Sequence, residues 1–491
     1  MHYAALAILV IVCQTVGLVL AEPLAFRWAD RFLTFDENEL FDEPVNYLDG
    51  DPTPERWFPQ LVDHFGLTSA TFPQRFFVND TWYQAGGPVY LYNPGEGANS
   101  ARKVQRGFVV DLARATQGLV VSLEHRYYGR SNPVPDLSPT NMRYLSVAQA
   151  LADMAYFIEH APLPQIQSAP STRWVVVGGS YAGNLAAWMR LEYPHLVFAA
   201  YSSSGPVRAK NDYYEYDLAV GDRLPCHELI ADTVVEIDHV LDGKDTQQID
   251  DLKKAFGLES LNRTKDFAGA LVDQMATLVQ YYAPPKSNHT DSINAFCEYF
   301  SNHTTPLNGF AAATRDYLKT KEIDAAQTFN TYLGAKNYTL EQSGRSWFYQ
   351  TCTEFAYWQT APRSPMLSMR SKYVDLDYNA GPCRAFFGSH LEMPVPVDRL
   401  NERYGADSID VDRVFYVNGE FDPWRRLSVS SPVAPPRQDS LKNKYRVIPR
   451  ASHCYDLRAP DEETDWPELV TIRAEIVATF QQWLNDPAIA R

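Results

Sequence analysis

The chain has 491 residues, 45% of them hydrophobic, with 10 Trp, 29 Tyr and 25 Phe; this is ample for a sizeable core and excludes a mainly disordered chain. Its 60 acidic residues outnumber 44 basic ones, for a formal charge of −16, and nothing along it supplies the basic face of a nucleic-acid binder. No Cys/His cluster has zinc-site spacing, so neither a metal nor a cofactor is expected.

In chain order, residues 1–21 come first. They contain no Asp, Glu, Lys or Arg, are mostly apolar from Ala4 to Leu20, and end Val19-Leu20-Ala21 before Glu22. Small residues at the last and third-last positions suit signal peptidase, so 1–21 is expected to be a cleaved signal peptide. An uncleaved membrane anchor is the alternative, since His2 stands where a basic residue is usual. No later stretch is long and apolar enough to span a bilayer. Residues 22–54 form a lead segment. Five Asn-X-Ser/Thr sequons, at Asn79, Asn262, Asn288, Asn302 and Asn337, agree with secretion.

Short apolar runs at 75–78, 88–92, 119–123, 174–177, 197–201, 414–417 and 445–448 predict buried strands. Helical patterns alternate with them. Residues 148–161 place Leu151, Met154, Ala155 and Ile158 on one face. Residues 182–191 follow the fourth strand directly, and 469–484 repeat Ile472, Ile476, Phe480 and Trp483. This alternation predicts an α/β fold, with a mainly parallel sheet covered by helices on both faces. It stops near residue 205 and resumes near 412. A two-part core (55–210 and 412–491) is therefore expected, with a mostly helical insertion over 211–411 capping the C-terminal edge of the sheet.

Of the six cysteines, Cys13 lies in the signal segment, leaving an odd five. Pairing sequence neighbours gives Cys226–Cys297 and Cys352–Cys383 and leaves Cys454 free.

Residues 174–183 read Trp-Val-Val-Val-Gly-Gly-Ser-Tyr-Ala-Gly: an apolar strand, a tight turn of small residues, then a helix. This is the setting of a nucleophile elbow, with Ser180 at its apex. Small neighbours are needed because the turn is sharp. Gly178 and Ala182 occupy those positions, with Ala182 in place of the usual glycine. A serine hydroxyl needs a base, and the base an orienting acid. In this fold they follow in the order Ser, acid, His, at strand ends. Residues 414–424 end a strand at Val417 and present Asp422 before Pro423-Trp424; residues 445–453 end another and present His453. Glu420 is the rival acid, disfavoured because Asp422 lies at the apex of the turn. His125 is expected to be a structural hydrogen-bonder and His64 a packing residue, while His289 and His303 sit inside sequons. For an oxyanion hole, the backbone N–H of Tyr181 is one donor. The loop Asn93-Pro94-Gly95-Glu96-Gly97 would supply the second, with Gly95 the candidate. Glu96 would either meet the charged amine of a substrate or cap a turn.

On these residues the sequence resembles the secreted serine peptidase family of prolyl carboxypeptidase, dipeptidyl peptidase II and thymus-specific serine protease, most of all the thymus-specific type. The matching segments are 60–65 (QLVDHF), 86–90 (GGPVY), 124–129 (EHRYYG), the elbow, and Asp422-Pro423-Trp424. The resemblance implies an α/β-hydrolase core with a helical cap. It also implies exopeptidase action on short peptides, often after proline, outside the cell or in lysosomes or vesicles. A homodimer stays open. Residues 347–355 (WFYQTCTEF) resemble the family segment that lines the specificity pocket. That assigns Trp347, Phe348 and Glu354, together with Trp424, to substrate contact; the alternative is that these aromatics pack the cap. Two other functions fit the same residues: a secreted carboxylesterase or lipase, and an inactive binding homologue.

Overall fold

A computed structural model describes residues 53–166, 172–285, 290–340 and 342–486. The expected signal peptide, most of the lead segment and Asn288 lie outside them. Among the described residues, eight strands form one sheet in the order β1-β2-β4-β3-β5-β6-β7-β8. They are β1 (Arg56–Leu61), β2 (Thr71–Asn79), β3 (Val89–Tyr92), β4 (Leu119–Leu123), β5 (Trp174–Gly179), β6 (Val197–Ser203), β7 (Val414–Gly419) and β8 (Asn443–Ile448). From β4 to β8 every pairing is parallel; β1–β2 and β2–β4 are antiparallel.

The seven predicted strands are all present. β1 was not predicted, and it explains why β2 starts four residues earlier than expected: Thr71–Gln74 pair with it. Pro59 interrupts the apolar run of β1, and proline is tolerated there because β1 is an edge strand.

Period-two alternation divides the strand residues between two faces. Val89, Leu91, Val121 and Val176 pack on one face against α2 (Val147–His160) and α3 (Tyr181–Glu192). Tyr90, Tyr92, Val175 and Val177 pack on the other against α1 (Phe108–Ala115) and α7 (Pro467–Asn485). The stripe Ile472, Ile476, Phe480 and Trp483 of α7 is buried there. Ser146 caps α2, its hydroxyl accepting from the Gln149 N–H.

Between β6 and β7 the described residues are mostly helical. They include α4 (Glu215–Arg223), α5 (Asp273–Gln280) and α6 (Ser343–Gln350). Disulfides Cys226–Cys297 and Cys352–Cys383 crosslink this cap, and Cys454 is free and buried. No helix of the described residues is long and apolar enough to cross a membrane. Asn262 and Asn302 are exposed, Asn79 and Asn337 half-buried.

Candidate active site

The site forms where strands end. Leaving β5, the chain turns through Ser180 with φ +55° and ψ −128°, a conformation costly for a residue with a side chain. The Ser180 N–H donates to the Ser203 carbonyl at the end of β6 (2.9 Å), which holds the turn. A Cβ on Gly178 would lie 2.2 Å from the Ala182 carbonyl oxygen, and one on Gly183 would lie 2.6 Å from the Ser203 carbonyl oxygen. Glycine is therefore required at both positions, while the methyl of Ala182 is accommodated. α3 begins at once, so its N-terminal N–H groups and positive dipole end sit beside the serine hydroxyl.

Asp422 and His453 follow β7 and β8, and the structure brings them together. His453 Nδ1 lies 2.9 Å from Asp422 Oδ1, and both residues are buried. The same carboxylate oxygen accepts the Trp424 N–H at 2.9 Å, which fixes its rotamer. Burial works against protonating His453, but the Asp422 carboxylate outweighs it and holds the imidazole above its ordinary pKa. Glu420 is exposed and accepts the backbone N–H of Arg450 instead. The His453 turn lies against the elbow, because a Cβ on Gly179 would meet Cys454 Sγ at 2.9 Å.

Ser180 opens into a narrow cleft lined by Glu96, Tyr181, Pro206, Gln280, Trp347, Tyr357 and Trp424. Its aromatic rings contact one another: Trp347 to Tyr181 at 5.5 Å, Tyr357 to Trp424 at 5.3 Å, and Phe355 stacked on Tyr357 at 5.3 Å. Glu96 is buried and is the only charged residue among the described residues that line the cavity.

Three of the expected site residues lie elsewhere. Phe348 packs inside the cap against Trp358, Phe386 and Phe387 and does not line the cavity. Glu354 accepts the Val147 N–H at the start of α2 (3.1 Å to each oxygen), so it works at a helix end, with burial raising its pKa to about 8. The Gly95 N–H donates to Asn93 Oδ1 at 2.8 Å, which takes it away from an oxyanion.

His125 is structural, as expected. Its ring nitrogens contact the Arg126 carbonyl (2.7 Å) and the Tyr181 hydroxyl (3.0 Å), and burial lowers its pKa to about 4. Gln350 donates to the same hydroxyl (3.0 Å), so Tyr181 is held from the core and from the cap. His64 does more than pack, since its Nε2 lies 2.7 Å from Asp153 Oδ1. Sequence reasoning missed Pro206, Gln280 and Tyr357. None of them lies in a motif: Pro206 follows β6 closely, and folding of the cap onto the core brings Gln280 and Tyr357 to Ser180. Among the described residues no cluster of His, Cys, Asp or Glu is arranged to hold a metal.

The serine carboxypeptidase S28 family model matches residues 60–476. The human thymus-specific serine protease is 33% identical over 87% of this chain and 86% of its own length. A probable extracellular serine carboxypeptidase of the fungus Arthroderma benhamiae is 30% identical over 89% of this chain and 67% of its own. A putative serine protease of Caenorhabditis elegans is 32% identical over 87% and 88%. The chain thus belongs to the serine carboxypeptidase S28 family and is a serine-type peptidase on an α/β-hydrolase fold.

Proposed function

We propose that the protein is an exopeptidase that hydrolyses short peptides through an acyl-enzyme on Ser180. The observation that carries this reading is the junction of three elements. A strained serine at a helix N-terminus opens into a small aromatic cleft, and the turn that carries the buried His453–Asp422 pair packs on the elbow through Cys454 and Gly179. His453 takes the Ser180 proton as the hydroxyl attacks the scissile carbonyl, then passes it to the leaving amine. Asp422 holds the imidazole by its Nδ1–H. The Tyr181 N–H supports the oxyanion, and the loop N–H at Glu96 replaces the engaged Gly95 as second donor. Water then releases the acyl group by the same steps.

A narrow cleft walled by aromatic rings suits the end of a peptide rather than a loop of a folded protein. Flat apolar walls of Trp347, Tyr357 and Trp424 suit a proline ring. The Glu96 carboxyl group favours a free amine over a free carboxylate, so release of N-terminal fragments is the preferred direction. Two disulfides fit an oxidising compartment, consistent with secretion.

The test is mass spectrometry of a mixed peptide library incubated with the protein and with Ser180→Ala, alongside fluorophosphonate labelling. Fragments released from N-termini by the wild type alone are expected, with a loss of about 10⁴-fold or more in the variant. Equal turnover by the variant, or trimming only from C-termini, overturns the assignment or its direction respectively.

A further inference from the structure

The cap is bonded into the catalytic loops, and Gln280, the last residue of α5, is the junction. Its backbone carbonyl accepts the N–H of His453 at 3.1 Å. Its side-chain Oε1 accepts two bonds, from the Trp424 indole N–H (2.9 Å) and the Tyr216 hydroxyl (2.7 Å). Its Nε2 donates to the Tyr281 hydroxyl at 2.7 Å. The side chain is buried and also lines the Ser180 cavity. Two residues on, the Tyr282 carbonyl accepts from the Ser452 hydroxyl at 2.7 Å, so cap segment 280–282 grips the His453 loop at adjacent residues. The Tyr213 hydroxyl likewise donates to the Pro423 carbonyl at 2.6 Å, beside Asp422.

From this arrangement we infer that Gln280 is a positioning residue for the reaction: its carboxamide fixes the Trp424 wall of the substrate cavity, and its carbonyl seats His453. The inference rests on the reading of Ser180, Asp422 and His453 as the reacting groups. The chemistry of the side chain is specific. Two converging donors need an acceptor that also has a donor to spare for Tyr281, and a carboxamide has both. Trp424 contacts Tyr213, Tyr216 and Tyr357 through its ring (5.5, 5.5 and 5.3 Å), contacts that are less directional than a hydrogen bond. The bond to Gln280 is directional and sets the depth to which the indole enters the cavity. Selectivity at the residue before the scissile bond would then depend on a cap residue that itself performs no chemistry.

The test compares Gln280→Leu with Gln280→Glu in the full-length secreted protein. Leucine keeps the bulk and the backbone carbonyl but offers no acceptor. Glutamate keeps the acceptor for Trp424 and Tyr216. On matched peptides with proline, alanine or leucine before the scissile bond, Gln280→Leu is expected to flatten the ratio of kcat/KM values by about tenfold, mainly through KM. Gln280→Glu is expected to restore the ratio to within about threefold. Unchanged selectivity in Gln280→Leu, or an equal loss in both variants, overturns the inference. A second readout needs no catalysis: Gln280→Leu should change intrinsic tryptophan emission, and the change should vanish in a Trp424→Phe background. If fluorophosphonate fails to label the wild type, the catalytic reading falls, and the emission difference still decides whether Gln280 holds Trp424. No emission difference overturns the inference outright.

Discussion

The core and the cap contribute to the site by different physics. In the core, each functional group is placed by backbone geometry at a strand end. Ser180 stands on a strained turn after β5, Asp422 on a turn after β7, and His453 on a loop after β8. Their neighbours are glycines and hydrogen-bonded carbonyls that tolerate little displacement. In the cap, Gln280, Trp347 and Tyr357 reach the same cavity from unrelated helices and loops, and side-chain packing places them. On the proposed reading, reactivity rests with the core, while the substrate walls are shared between core residues such as Trp424 and the cap residues Gln280, Trp347 and Tyr357. Substitutions at the reacting strand ends should therefore act on kcat and those at the cap walls on KM.

After Ser180→Ala, the largest effect is expected from Asp422→Asn. Without the carboxylate, His453 loses its tautomer and orientation, and kcat should fall by about 10³- to 10⁴-fold. The pH profile gives a sharper readout. Asp422 holds the His453 pKa above its ordinary value, so the wild type should gain activity as pH rises and the imidazole loses its proton. In Asp422→Asn the residual activity should begin its rise at lower pH. An unchanged acid limb would show that another group sets it.

Gly178→Ala tests the backbone side of the comparison. The added methyl would sit 2.2 Å from the Ala182 carbonyl oxygen and 2.8 Å from its Cβ, so the elbow must move. Overpacking of this kind costs about 1–3 kcal/mol in denaturant unfolding. A displaced nucleophile should lower kcat by about 10²-fold with KM little changed. Normal turnover would mean that the elbow has slack the packing does not suggest.

These core features were legible in the sequence because each leaves a local mark. A strand that must be buried is continuously apolar, an elbow must carry glycine, and Pro423 marks the turn after Asp422. β1 left no such mark, because an edge strand containing Pro59 has no continuous apolar run. In the cap, the marks misled. Trp347 and Phe348 are adjacent and similar, yet α6 turns one to the cavity and the other into a cluster with Trp358, Phe386 and Phe387. Neighbours on a helix point about 100° apart, so a motif assigned to a pocket as a block assigns some of its residues wrongly. Gln280 had no signal at all, since its role depends on Tyr216 and Trp424, which are distant in sequence.

Adjacent Trp347 and Phe348 make a direct test of that distinction. Trp347→Ala removes a cavity wall and should raise KM about tenfold with a smaller change in kcat. Phe348→Ala leaves a void in the cap and should cost about 3–5 kcal/mol of stability while leaving selectivity near normal at low temperature. Equal selectivity losses in both variants would show that the cap acts only through its overall integrity.

The smallest effect concerns a group that joins the two regions. Glu354 belongs to the cap, but it accepts the first N–H of core helix α2. Burial raises its pKa from 4.5 to about 8, and burial likewise raises that of Asp217, beside Arg370, from 3.8 to about 6. For a carboxyl with a raised folded pKa, the native state binds the extra proton. Stability is therefore greatest below the unfolded pKa and falls as pH climbs to the folded one. For Glu354 that window runs from about pH 4.5 to 8, and for Asp217 from about 3.8 to 6. The protein should accordingly melt lower at pH 7.5 than at pH 5. A glutamine in place of Glu354 would accept and donate without ionising. Glu354→Gln should therefore flatten the slope above about pH 7, where Asp217 is mostly ionised, and leave the melting temperature at pH 5 nearly unchanged. A slope identical to wild type above about pH 7 would mean that Glu354 is already ionised when it holds α2, and that the junction between cap and core does not respond to pH.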